Sequence, residues 1–155
     1  MIIECEVLAG LKPAAAGEVR RVLGRQAELL AGDDPTTVRF RYAGPLEALL
    51  RLRTVVAAYL LVTVPGRRPS ALLGDTTLFD QVEAVRALHP PGAFASFRLS
   101  APGRDSAALR RLREELAGRS GLAYDPEHGE LLLRIRRSRD AAGWDLLTRL
   151  SPRPL

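Results

Sequence analysis

"IIECEVLAGLKPAAAGEVRRVLG", from Ile2 to Gly24, is the stretch whose reading decides the fold. Its first residues alternate. Ile3, Cys5 and Val7 share one face and Glu4 and Glu6 the other, which predicts a strand with one covered side. "AGLKP" is a turn. Pro13 stands in the first turn of a helix, where its missing N–H costs nothing. Leu11, Ala15, Val19, Val22 and Leu23 recur at helical spacing. Gly24 ends the helix.

The pattern continues outward. "RQAELL" (25–30) reads as a short strand and "AGDDPT" as a turn. "TVRFRY" (37–42) alternates again, with Val38, Phe40 and Tyr42 inward. "GPLEALLRLR" predicts a short helix. "TVVAAYLLVTV" (54–64) is apolar on both faces, as a strand covered on both sides would be. The order β-α-β-β-α-β is ferredoxin-like. It closes near Pro65, and "PGRRPS" (65–70) has linker composition. The expected division is a domain over 1–64 and another over 65–155.

The second part predicts α-α-β-α-β-β. "SALLG" gives a turn of helix. In "DTTLFDQVEAVRALHPP", Leu78, Val82, Val85 and Leu88 form a stripe, Asp75 or Thr77 caps it and Pro90 stops it. "AFASFRLSA" (93–101) is a strand. A helix over 105–118 places Leu109, Leu112 and Leu116 on one face. "GLAYDPEHGE" is loop. "LLLRIRRS" (131–138) and "GWDLLTRLS" (143–151) form a hairpin. Trp144 alternates with Leu146, Thr148 and Leu150 and is expected in the core.

The 155 residues are 46% hydrophobic, and the N-terminus has no secretory pattern. No apolar run reaches membrane-spanning length. The expected location is the cytoplasm. One cysteine, Cys5, allows no internal disulfide and no Cys/His metal cluster. His89 and His128 sit in turn contexts and read as surface residues. The net charge of +5 is uneven: residues 1–62 carry 8 basic and 7 acidic groups, residues 63–155 carry 15 and 11. All 23 basic residues except Lys12 are arginine. The excess in the second half points to an anionic partner.

No catalytic constellation is present. There is no Gly-rich nucleotide loop and no G-x-S-x-G elbow. Asp33-Asp34 before Pro35 is turn chemistry. Glu114 and Glu115 follow Arg110 and Arg111 by four residues and read as helix-surface pairs. The candidate binding residues are arginines. Arg134 and Arg136 share a face of their strand with Leu132, and Arg98 lies on the preceding strand. Arg104, at a loop–helix junction, could join the helix N-terminal amides in holding a phosphate. Arg110 and Arg113 project from that helix, and Arg67 and Arg68 lie in the linker. Scarce aromatic residues argue against stacking platforms and for backbone contacts with steep salt dependence.

In their order these phrases resemble THUMP-domain RNA methyltransferases. "ECEVLAGLKPAAAGEVRRVLG" is similar to the opening of their ferredoxin-like domain, and "LEALLRLRTVVAAYLLVTV" to its second helix and strand. "TLFDQVEAVRAL", "FASFRLSA…SAALRRLREEL" and "ELLLRIRRSRDAAGWDLLTRLSPRPL" are similar to the THUMP helix, its strand and next helix, and its closing hairpin. The resemblance implies an α+β chain, a ferredoxin-like domain followed by an α/β THUMP domain, that binds tRNA or other structured RNA near the acceptor 3′ end. It implies RNA contacts by Arg67, Arg68, Arg98, Arg104, Arg110, Arg113, Arg134 and Arg136. It also implies a separate domain, in cis or in trans, that binds S-adenosylmethionine and methylates a base, commonly guanine N2. The Gly-rich loop and the N/D-P-P-Y/F motif of that domain are absent, and "YDPEH" does not supply the latter. "SPRPL" therefore reads as the lead into a missing domain, of a truncated chain or a split gene. The alternative class is a protein-interaction module with a ferredoxin-like half. Convergence of the arginines favours RNA, and their dispersal favours a protein partner.

Overall fold

The computed structural model describes residues 1–102, 106–139 and 141–155. The fold is mixed α+β, and the chain divides into two compact units. The first comprises Met1–Leu61 with Arg149–Leu155, the second Val62–Thr148.

In the first unit β1 (Ile2–Glu6) leads into α1 (Lys12–Leu23), then β2 (Ala27–Leu30), β3 (Thr37–Tyr42) and β4 (Ala57–Pro65), whose last residues belong to the second unit. The strand order is β2-β3-β1-β4 and every neighbouring pair is antiparallel. Ile3 faces Phe40 and Leu60, and Cys5 faces Val38 and Ala58, all of them buried. Ala15, Val19 and Leu23 of α1 complete this core. Burial pushes the Cys5 thiol up to about 12, with Glu4 and Glu18 adding repulsion.

Gly24 closes α1 at a φ of 58°, a conformation only glycine adopts without strain. The expected helix after Pro45 is instead a six-residue 3-10 helix, Leu46–Arg51, too short to gain from α-helical propagation. Residues 54–56, expected at the start of the following strand, precede β4. The chain ends on this unit: Leu150 N–H donates to Ala58 O and Leu155 N–H to Val56 O, at 2.9 and 2.7 Å. Arg149 is buried and organises that return, its guanidinium donating to the carbonyls of Ser151 and Pro152 at 2.9 and 2.8 Å.

The second unit holds the end of β4, α2 (Thr77–Arg86), β5 (Ser96–Ser100), α3 (Ala107–Ser120), β6 (Ala123–Tyr124), β7 (Leu131–Arg137) and β8 (Gly143–Arg149) up to Thr148. Its strand order is β4-β8-β7-β5-β6. β5 runs parallel to both β6 and β7, while β7 and β8 form the antiparallel hairpin. Asp75 Oδ1 accepts Thr77 N–H at 2.7 Å beside the start of α2, and Ser106 caps α3 through Leu109 N–H at 3.3 Å. Leu109, Leu112 and Leu116 are all buried. β6 was expected as loop. Two residues carry no periodicity, and only pairing with β5 makes them a strand. Trp144 is buried, and its indole N–H donates to Arg68 O at 3.2 Å.

Candidate nucleic-acid interface

Alternation and register divide the second unit's strands into two faces. One carries Phe97, Leu99, Leu131, Leu133, Ile135, Leu146 and Thr148, all of them buried. Thr148 donates its hydroxyl to Gln81 of α2 at 3.0 Å, so the helices lie on this side. The other face carries Arg98 and Ser100 of β5, Leu132, Arg134 and Arg136 of β7, and Asp145 of β8. Arg98 is opposite Leu132, Ser100 opposite Arg134, and Arg136 opposite Asp145.

Arg98, Ser100, Leu132 and Arg134 line an open hollow of about 430 Å³ together with Pro126. Leu132 is its buried floor. The wall is the 125–130 loop, which hydrogen bonding holds in one shape. Asp125 N–H donates to Phe97 O at 2.9 Å. The Asp125 carboxylate accepts the amides of Glu127 and His128 at 3.0 and 2.9 Å, an Asx turn. The His128 amide, then that of Glu127, hold this carboxyl below its ordinary value. Glu130 N–H donates to Ser96 Oγ at 3.2 Å, and its carboxylate accepts Ala95 N–H at 3.1 Å. A Cβ on Gly129 would collide with the Phe97 carbonyl group, so only glycine lets the loop lie this close to β5. Arg98 Nη1 donates to Glu127 O at 3.3 Å, while Arg98 Nε is buried with no hydrogen-bond partner among the described residues.

The arginines singled out from the sequence occupy three places. Arg98, Arg134 and Arg136 share the hollow's face. Arg136 Nε lies 3.4 Å from the Asp145 carboxylate, which also accepts the Thr63 hydroxyl at 2.8 Å. Arg110 and Arg113 are on α3, on the helical side. Arg113 sits 4.8 Å above the Tyr124 ring and donates to its hydroxyl at 3.1 Å; Tyr124 in turn contacts Phe97, with ring centroids 5.3 Å apart. Arg67 and Arg68 are exposed in the connection after β4. Arg104 lies outside the described residues. The structure adds Arg137, whose guanidinium stacks 4.7 Å from the Trp144 ring near the Arg68 carbonyl. Its signal was the "RIRR" run, where alternation assigns it to the face opposite Arg136.

The sequence reading missed the loop wall. Its contribution is backbone and a proline, and the only pointer was the Asp125–Gly129 spacing of an Asx turn. Among the described residues no group of three His, Cys, Asp or Glu side chains could hold a metal ion, and no helix is long and apolar enough to cross a membrane.

No family model matches the sequence. No curated protein matches it either. Solved structures do match. TrmN from Thermus thermophilus superposes with a TM-score of 0.63 at 21% identity, over 99% of this chain and 46% of that one. A 4-thiouridine synthetase, solved as an RNA complex with bound ATP, gives 0.57 at 12% identity, over 97% of this chain and 41% of that one. A predicted N6-adenine-specific DNA methylase from Listeria monocytogenes gives 0.55 at 14%, over 96% and 40%. The chain spans about half the length of these structures or less. Across nearly its whole length it has the fold of the N-terminal region of THUMP-containing proteins.

Proposed function

We propose that this chain is an RNA-binding module that takes tRNA by its acceptor-stem 3′ end and presents it to an S-adenosylmethionine-dependent methyltransferase domain, in the same polypeptide or in a partner. In this reading the first unit is the ferredoxin-like part and the second the THUMP part, and the protein works in the cytoplasm. The observation that carries the proposal is the Arg98–Arg134 face: two guanidinium groups on adjacent strands at a hollow floored by leucine. Guanidinium groups suit phosphate oxygens bidentately. The RNA bound in the 4-thiouridine synthetase structure supports the same assignment.

The work of such a module is electrostatic and geometric. Each phosphate contact releases counterions and adds affinity with little regard to sequence. The sequence holds no Gly-rich nucleotide-loop pattern, and this reading assigns methyl transfer to the other domain. The dispersal of Arg67, Arg68, Arg110 and Arg113 away from the hollow's face favours a second reading, a surface for a protein partner.

Fluorescence anisotropy decides between them. Intact tRNA and tRNA trimmed of its 3′ terminal nucleotides are titrated at low and moderate salt. Binding that falls steeply with salt and weakens on trimming supports the proposal. Absence of binding at low salt overturns it.

A further inference from the structure

We infer that the hollow between β5, β7 and the 125–130 loop binds one unpaired nucleotide, with its phosphate on Arg98 and its base against Leu132 and Pro126. The inference rests on the RNA reading and makes it specific: a built pocket for a single nucleotide unit, beyond a general basic surface.

Three features lead there. The first is the Arg98 side chain. Glu127 O and the strand hold it in place, yet its Nε–H is buried without an acceptor among the described residues. A buried donor left unsatisfied is costly, and a turn of the side chain that brings its guanidinium edge to an oxyanion in the hollow relieves that cost. Arg134 keeps its own interactions and adds a second positive charge at the rim.

The second is size and lining. About 430 Å³ lies within the range of small-molecule sites. A bare phosphate would leave most of it to water. A nucleotide also brings a flat apolar base, for which Leu132 and Pro126 provide matching surface.

The third is rigidity. The Asx turn at Asp125 and the close approach of Gly129 fix the wall before any ligand arrives. Little ordering is then required on binding. A base paired in a duplex cannot enter such a hollow, so the nucleotide taken is unpaired.

The test uses the full chain, ¹⁵N-labelled, titrated separately with adenosine 5′-monophosphate, adenosine and inorganic phosphate. The arginine Nε–H resonances are followed, and that of Arg98 is identified by its loss in Arg98→Lys. The expected result is a saturable shift of the Arg98 signal with the monophosphate, with inorganic phosphate and adenosine each at least about tenfold weaker. Arg98→Lys should weaken the monophosphate by about tenfold, because lysine keeps the charge and loses the fork. If that variant does not fold, Ser100→Trp, which fills the rim from an exposed position, should abolish binding instead. Equal binding of phosphate and monophosphate would reduce the hollow to an anion site and overturn the inference. So would an unmoved Arg98 signal at millimolar ligand, or full binding by both variants. Should tRNA bind while the monophosphate does not, the pocket falls and the RNA reading stands. Should the monophosphate bind and tRNA not, the reverse holds.

Discussion

The carboxylate of Glu18, on α1, accepts both the backbone N–H of Thr54, at 2.9 Å, and the Thr54 hydroxyl. It also accepts Arg53 N–H at 2.9 and 3.0 Å. One buried acid in the middle of a helix thereby satisfies the amides of the segment entering β4. Glu18→Ala strands those donors and should destabilise the protein by about 2–3 kcal/mol, whereas Glu18→Gln, which keeps one acceptor, should cost about 1 kcal/mol. Urea denaturation of the two variants measures both.

The same residue sets a pH dependence. Burial alone would raise the Glu18 carboxyl, but the Thr54 hydroxyl and the Thr54 and Arg53 amides outweigh it and hold it below its ordinary 4.5. A depressed folded-state value means that the contribution is full above the unfolded value and is lost as pH falls through the folded one. Stability should decline from about pH 4.5 downward, and Glu18→Gln should flatten that part of the curve. Thermal melts between neutral pH and pH 3 test this.

Cys5 is fully buried and its thiol is pushed up to about 12. The thiolate is the reactive form. A thiol reagent at pH 8 should leave the folded protein unmodified and label it stoichiometrically in denaturant. Mass spectrometry reads the difference directly, and labelling of the native chain would show that β1 opens.

Gly129 should be irreplaceable without movement of the loop. Gly129→Ala drives a methyl into the Phe97 carbonyl, and overpacking of this kind costs about 1–3 kcal/mol. The variant should melt earlier, and amide exchange at Asp125, which donates to Phe97 O, should accelerate.

Arg67→Gln with Arg68→Gln separates the two kinds of arginine. Both side chains are exposed. If they meet phosphates, the double variant should reduce the salt slope of tRNA binding by about 2 without loss of stability. Arg113→Gln, which breaks the contact with Tyr124, should lower stability by about 1 kcal/mol and leave RNA affinity nearly unchanged. Anisotropy and denaturation on the same samples distinguish them.

Much of the fold was legible because it depends on periodicity. The alternation in 2–8 and 37–42 and the leucine spacing of α3 each put the right residues inside. What escaped depends on neighbours far away in sequence. β6 exists only because β5 lies beside it. The 3-10 helix after Pro45 has the composition of an α-helix and too few residues to become one. Leu132 shares its strand face with Arg134 and Arg136, yet it is buried and lines the same hollow as Pro126 of the 125–130 loop. The hollow was illegible for the same reason: the loop that brings Pro126 to it is held by backbone hydrogen bonds and by a glycine's missing side chain, neither of which has a residue-type signature.

The return of Arg149–Leu155 to the first unit makes that unit discontinuous in sequence. Residues 149–155, synthesised after the whole of the second unit, complete the body that begins with β1. Ala58 O and Val56 O find their partners only then. Cutting the chain between Val64 and Pro65, where composition suggests a seam, would leave these carbonyls bare, at Ala58 of β4 and at Val56 just before it, a site where another strand can add. The second unit, closed within 62–148, should tolerate the loss of the tail far better than the first. A C-terminal deletion would thus be felt at the N-terminal end of the protein.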